Sequence, residues 1–307
     1  MATTARPRRS ALYMPGSNAR ALEKAKGLEA DVLILDLEDA VAPDAKDLAR
    51  DQVLAAVAAG GFGRREVLIR VNGLDTPWGH ADLAAAARSG AHGVLIPKVE
   101  SAEAVRQADR LLAAHGAAPG TPNGLPLWVM METALGMLNA KEIASASPRL
   151  AGLVLGTSDL AKELHAHHTP LRLPMITALG LCLLAARAHG LAILDGVHLD
   201  LDDDAGLEAS CRQGVELGFD GKTLIHPRQL AAANAAFAPD AASLDRARRV
   251  IAAHAEAMAQ GKAVVLVDGR LVEALHVAEA HRLVTLAAAI RAPDQTGLDS
   301  IRSGFPL

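Results

Sequence analysis

Short apolar runs recur along the chain, and each breaks off in a polar or ionisable residue. They read VLILDLED (32–39), VLIRVN (67–72), VLIPK (94–98), LWVMMET (127–133), LVLGTSD (153–159), AILD (192–195) and KTLIH (222–226), with a first strand at 11–14 ahead of them. Val, Ile and Leu follow one another here without the alternation of a half-solvated strand, so the runs suit strands buried on both faces of a parallel sheet. Alanine-rich stretches with helical spacing separate them at 19–26, 44–59, 78–89, 102–115, 140–146, 173–189, 205–217 and 227–236. Ser17 or Asn18 can cap the first of these helices. Eight strand–helix units predict an α/β fold, a TIM (β/α)8 barrel over residues 1–240. Beyond it, helical stretches at 242–260 and 272–290 flank an apolar link at 263–267, which predicts a C-terminal helical arm over 241–292. The final PDQTGLDSIRSGFPL (293–307) mixes Pro, Gly and polar types without a period and reads as a loose tail.

A chain of 307 residues exceeds the roughly 250 that a single barrel needs, and the surplus is the arm. The net charge of -4 offers no basic footprint for nucleic acid or an anionic membrane surface. Two cysteines, Cys182 and Cys211, make no disulfide framework and suit a reducing compartment. No apolar run approaches a membrane span or a signal-peptide core, so a cytoplasmic protein is expected.

Barrel enzymes collect their chemistry at the carboxyl ends of the strands. The polar residues that close the runs are therefore one candidate site, and Asp36, Glu38, Arg70, Lys98, Glu132 and Asp159 should converge there. Glu132 and Asp159 follow adjacent strands, and two carboxylates in one wet pocket repel unless a cation lies between them. An oxygen-only donor set suits Mg²⁺ or Mn²⁺ better than zinc. Either acid alone would more often be a solvated loop residue or a helix cap; their matching placement favours the metal. Arg70 can grip a substrate carboxylate through two parallel hydrogen bonds, or form a structural ion pair with Asp36 or Glu38. Both roles are compatible. Asp36 and Glu38 share one face of an extended strand and Asp39 takes the other, so one of the pair should orient Arg70 or a metal-bound water.

Lys98 could be a Schiff-base lysine with a depressed pKa, although a lysine pairing with nearby carboxylates is the commoner case. His165, His167 and His168 match no zinc spacing and read as a solvated loop. The acidic run 200–204 mimics a calcium loop but places Ala205 where that loop needs glycine and Cys211 where it needs glutamate. Gly221-Lys222-Thr223 has the wrong glycine spacing for a phosphate loop and stands ahead of its strand. No GxSxG, HExxH or well-placed GxGxxG occurs, which leaves hydrolase, zincin and dinucleotide readings without support.

Several segments together carry a resemblance: RRSALYMPGSN (8–18), DLEDAVAP (36–43), RVNG (70–73), IPKVES (96–101), METALGMLNA (131–140), GTSDLAKEL (156–164) and GFDGKTLIHPRQ (218–229). In this order they resemble the citrate lyase β-subunit-like branch of the HpcH/HpaI aldolase family, over residues 8–291. The resemblance implies a Mg²⁺-dependent lyase that cleaves a 3-hydroxyacyl thioester of malyl-, citramalyl- or citryl-CoA type, reversibly, into an α-keto acid and an acyl thioester. It places the metal ligands on Glu132 and Asp159 and the substrate-carboxylate arginine on Arg70. It also implies a homo-oligomer, with a trimer favoured, in which the C-terminal arm reaches a neighbour and supplies an acid. Relatives carry aspartate there in a Met-Ile-Asp context; this chain reads LVE, so the acid is Glu273. The HAHHTPLRL segment (165–173) is also unusual for the branch. Rival readings are a metal-dependent aldolase acting on free hydroxy-keto acids and a catalytically quiet subunit that binds CoA or an acyl carrier.

Overall fold

The computed structural model describes residues 6–117 and 124–292, so the tail expected at 293–307 lies outside the described residues. The chain forms two compact units, Arg8–Phe237 and the stretch that begins at Ala238.

In the first unit eight parallel strands close into a barrel in sequence order. They are β1 Ser10–Pro15, β2 Val32–Asp36, β3 Glu66–Arg70, β4 Gly93–Ile96, β5 Leu127–Met131, β6 Leu150–Leu155, β7 Ala192–Asp195 and β8 Gly221–Leu224. Closure comes from pairing of β1 with β8, Ser10 opposite Lys222 and Leu12 opposite Leu224. The helices around them are α1 Ala19–Ala25, α2 Lys46–Ala59, α3 Gly79–Ala86, α4 Ala102–Ala114, α5 Ala134–Leu138, α6 Ala140–Ala144, α7 Thr157–Glu163, α8 Ile176–Ala188, α9 Asp204–Leu217 and α10 Leu230–Ala236. Asn18, and neither Ser17 nor any other residue, caps α1, its side chain accepting from the amide of Ala21 at 3.0 Å. No helix among the described residues is long and apolar enough to cross a membrane.

Strand residues divide between two cores by parity. Ala11, Val32, Ile34, Leu68, Leu95, Trp128, Met130, Val154 and Leu194 fill the barrel interior, while Leu33, Leu35, Val67, Ile69 and Val129 pack outward under the helices. Trp128 is the largest fully buried side chain. A Cβ on Gly152 would stand 2.2 Å from its ring, so the neighbouring strand must carry glycine there. The same parity carries the inward row forward from Ile34 to Asp36, from Leu68 to Arg70 and from Met130 to Glu132. Hydrophobic patterning thereby delivers three ionisable groups to one end of the barrel.

Several sequence-based expectations change. Helices α5 and α7, of five and seven residues, were not anticipated. Gly221-Lys222-Thr223 lies within β8 and not ahead of it. In the second unit, α11 (Ala241–Ala259) and α12 (Ala274–Arg291) enclose an antiparallel hairpin of β9 (Val265–Val267) and β10 (Arg270–Val272), not a simple link. Ala247, Val250, Val267, Val272 and Ala280 form its small core.

Candidate active site

At the carboxyl ends of the strands a pocket of about 350 Å³ opens, lined among others by Tyr13, Asp36, Arg70, Glu132, Thr157 and Asp159. Arg70 is its structural centre. Asp36, fully buried, accepts from Arg70 Nε and Nη2 at 2.6 Å each, a two-point fork. The remaining nitrogen, Nη1, lies 2.9 Å from Glu38 Oε2 and 3.4 Å from Asp39 Oδ2. The contact with Glu38 is an ion pair without hydrogen-bond alignment, since Oε2 has no hydrogen-bond partner. Beneath the guanidinium the Tyr13 ring stacks with its centroid 4.8 Å from Cζ, a favourable cation–π approach. Burial works against the Arg70 charge, but Asp36, Tyr13 and Glu38 outweigh it and raise its pKa further. Arg70 is therefore a fixed cation.

Asp39 corrects the alternation argument. The chain leaves β2 after Asp36, whose carboxylate accepts from the amides of Glu38 at 2.9 Å and Ala40 at 3.0 Å. That turn folds Asp39 back toward Arg70, because strand parity no longer applies once the ladder ends.

Lys98 also departs from simple parity. Three residues beyond inward-facing Leu95, an extended chain would aim it away from the barrel axis. Its φ of +52° turns it over, a left-handed conformation uncommon outside glycine and characteristic of functional sites. The Lys98 amide then donates to Glu132 Oε1 at 2.7 Å. Its ammonium pairs with Glu38 and stands 3.7 Å from Asp159 Oδ2. Partial burial disfavours the charge, yet the hydrogen bond to Glu38 and the fields of Glu38, Glu132 and Asp39 hold the ammonium well above the usual lysine value. A Schiff-base lysine needs the opposite shift, so the pairing reading fits this geometry.

Glu132 is 2% exposed. Burial pushes its carboxyl up to about 7, against the opposing hydrogen bond from Lys98, with Glu38 adding repulsion. It lies over Gly156, where a Cβ would meet Glu132 Oε2 at 2.3 Å. Asp159 stands in the first turn of α7 rather than in a loop, and is half-buried. Both acids line the pocket. Among the described residues no group of three or more His, Cys, Asp or Glu forms a ready-made cation site. Two carboxylates fit a divalent ion that takes its other ligands from water and substrate, as hard cations commonly do. The chemistry of the donors agrees: four pocket acids, Asp36, Asp39, Glu132 and Asp159, outnumber the two cations beside them, Arg70 and the Lys98 ammonium.

Other sequence candidates fall elsewhere. His165, His167 and His168 are exposed in a loop. In the acidic run, Asp203 caps α9 while Asp202 and Asp204 pair with Arg228. Lys222 is fully buried and bonds Asp195, which also accepts from Arg172 at 2.6 Å and 2.8 Å. Asp195 closes β7 and was not singled out, although its run ended as the others did. Tyr13, the one tyrosine of the chain, and Met130 were also missed; inward parity from Ala11 and Trp128 was the available signal. Glu273 belongs to the second unit. There it is the half-buried N-cap of α12, its amide donating to His276 Nδ1 at 3.1 Å.

Known proteins resemble this chain over most of its length. Residues 9–227 match the HpcH/HpaI aldolase/citrate lyase family. A (3S)-malyl-CoA thioesterase of Cereibacter sphaeroides is 53% identical over 292 residues, covering 95% of this chain and 99% of that protein. An L-malyl-CoA/beta-methylmalyl-CoA lyase of the same species is 36% identical over 95% of this chain and 98% of its own. Among solved structures, the protein CitE from Mycobacterium tuberculosis in complex with magnesium, acetoacetate and coenzyme A superimposes with a TM-score of 0.72 at 30% identity, covering 93% of this chain and all of that one. On this shared barrel and on identity over nearly its whole length, the chain belongs to the HpcH/HpaI aldolase/citrate lyase family, in its citrate lyase β-subunit-like branch.

Proposed function

We propose that the protein is a divalent-metal-dependent enzyme acting on a CoA thioester of (3S)-malyl type, and that its main reaction is hydrolysis of the thioester. The observation that carries the substrate class is the fixed Arg70 cation sharing one pocket with Glu132 and Asp159, a set suited to a 2-hydroxycarboxylate. Hydrolysis is favoured over carbon–carbon cleavage by the 53% identity to a malyl-CoA thioesterase against 36% to a malyl-CoA lyase.

Glu132 and Asp159 would hold Mg²⁺, or Mn²⁺ in its place. When bound, such an ion supplies Lewis-acid polarisation to the hydroxyl and carboxylate of the substrate. Arg70 Nη1, left outside the Asp36 fork, takes substrate negative charge, and Asp36 keeps the guanidinium aimed. Lys98 holds Glu132 through its backbone and Glu38 through its ammonium. In hydrolysis a water oxygen adds to the thioester carbonyl, the C–S bond breaks, one water proton ends on the CoA sulfur, and the other is released as the new carboxyl group ionises. Glu38, whose carboxyl burial raises above its ordinary value, is the base we assign to carry the proton bound for sulfur.

The second reading is the reversible cleavage expected from the family resemblance, favoured by the lyase relative. It needs an acid to protonate the acyl-thioester enolate, and Glu273 of the arm is the candidate. One incubation separates the two. With (3S)-malyl-CoA and Mg²⁺, hydrolysis releases malate and free CoA thiol, whereas cleavage releases glyoxylate and acetyl-CoA. Glyoxylate in amounts matching the substrate consumed would replace hydrolysis by cleavage. Turnover undiminished in excess EDTA would remove the metal.

A further inference from the structure

Beyond the end of β2 the segment bearing Glu38 has lost its ladder, yet it holds one fixed course. The Leu37 amide still donates to Arg70 O at 2.9 Å, but the Leu37 carbonyl faces two side-chain donors in place of a strand. Lys46 Nζ, from the start of α2, reaches Leu37 O at 2.9 Å and Glu38 O at 2.7 Å. Asn72 Nδ2 reaches the same Leu37 O at 3.0 Å and uses its second hydrogen on Asp82 Oδ2 at 2.6 Å. Asp82 also accepts from the Asn72 amide at 3.1 Å and, through Oδ1, from Arg50 Nε at 2.6 Å. Lys46 and Arg50 lie one turn apart on α2, so the circuit runs from α2 through the end of β2, the loop after β3 and α3 back to α2. Trp78 covers the Lys46 ammonium, its ring centroid 5.6 Å away. Lys46, Asn72 and Asp82 are buried.

We infer that Lys46 and Asn72 are positioning residues which clamp the Leu37 carbonyl and thereby hold the Asp36 and Glu38 carboxylates in register with Arg70. A buried carbonyl outside a ladder needs donors, and two converging from different elements leave the segment a single course. Released, residues 37–39 could rotate as an ordinary loop, and the Glu38–Arg70 and Glu38–Lys98 pairs would lose their common geometry. Misplacing a reacting group by about 1 Å can cost roughly a hundredfold in rate. The clamp itself stands on geometry alone; its effect on turnover rests on the proposed function.

Hydrogen exchange read by mass spectrometry on the peptide spanning 36–41 tests the clamp without reference to activity. In the wild type its amides should exchange as slowly as those of β2, and loop-like exchange there would overturn the inference before any variant is made. Lys46→Met and Asn72→Ala should each speed exchange in this peptide by about tenfold or more while β5 stays protected, and Lys46→Arg should retain slow exchange. On (3S)-malyl-CoA each of the first two variants should lose roughly a hundredfold in kcat. Because both act on one carbonyl, the double variant should fall no more than about threefold below the worse single. Unchanged exchange in both single variants, or losses that multiply as independent sites do, would sink the clamp. If the wild type turns over no CoA thioester, the functional reading fails and the exchange data still decide the clamp.

Discussion

Glu132 is an anion that its surroundings disfavour, and this has a measurable sign. Its carboxyl titrates at about 7 in the folded protein against an ordinary 4.5, so between these values the native state holds a proton that the unfolded chain has released. Stability therefore falls as pH rises through this window, by an amount on the order of 3 kcal/mol once both states are ionised. Without divalent ions, Glu132→Gln should raise the melting temperature at pH 8 and change it little at pH 4.5. Mg²⁺ should stabilise the wild type at pH 8, lose affinity as pH falls through 7, and leave the variant unaffected. A variant no more stable than the wild type at pH 8 would show that the carboxylate is already compensated.

Arg70 poses the opposite problem, a cation held among carboxylates before any substrate arrives. Two of its nitrogens are used on Asp36, and an ammonium cannot reproduce that fork while also serving the pocket. Arg70→Lys should fold yet lose at least about a hundredfold in kcat/KM, scored by CoA-thiol release. Near-normal kinetics would make Arg70 purely structural and place the carboxylate clamp elsewhere.

At the scale of elements, the turn from β6 into α7 sets the distance between the two proposed metal ligands. Gly156 lets the Glu132 side chain lie against its backbone. Gly156→Ala should push that carboxylate aside and weaken Mg²⁺ binding about tenfold or more, the scale of loss when a ligand's support is removed; calorimetry on the folded variant reads this directly. Unaltered affinity would remove Glu132 from the metal. The arm makes a separate demand. Glu273 caps α12, so replacing it costs about 1 kcal/mol if capping is its whole contribution. If it is the enolate acid of the cleavage reading, Glu273→Gln should also abolish deuterium exchange into the acetyl-CoA methyl group. Intact exchange would leave it a helix cap.

For the whole molecule, the family resemblance leads us to propose a homo-oligomer. Exposed leucines such as Leu138 and Leu184 on the barrel and Leu266 and Leu275 on the arm give it apolar surface to bury on association. Light scattering should return the mass of several chains, three being favoured. A concentration-independent monomer would refute it and with it any acid borrowed from a neighbour.

The periodic part of this protein is legible in its sequence. Uninterrupted Val, Ile and Leu runs spaced by alanine-rich helices specify a parallel barrel, because strands buried on both faces leave that mark. Two-residue parity then carries Asp36, Arg70 and Glu132 inward from Ile34, Leu68 and Met130. Where the chain leaves its ladders, local pattern loses its hold and contacts distant in sequence decide. The left-handed turn at Lys98, the return of Asp39 to Arg70, the one-turn-deep position of Asp159 in α7 and the two donors on Leu37 all depend on partners from other strands and helices. Periodicity records which side of a regular element a residue takes; the course of a loop is set by whichever buried polar groups must be satisfied there, and those meet only in the folded barrel.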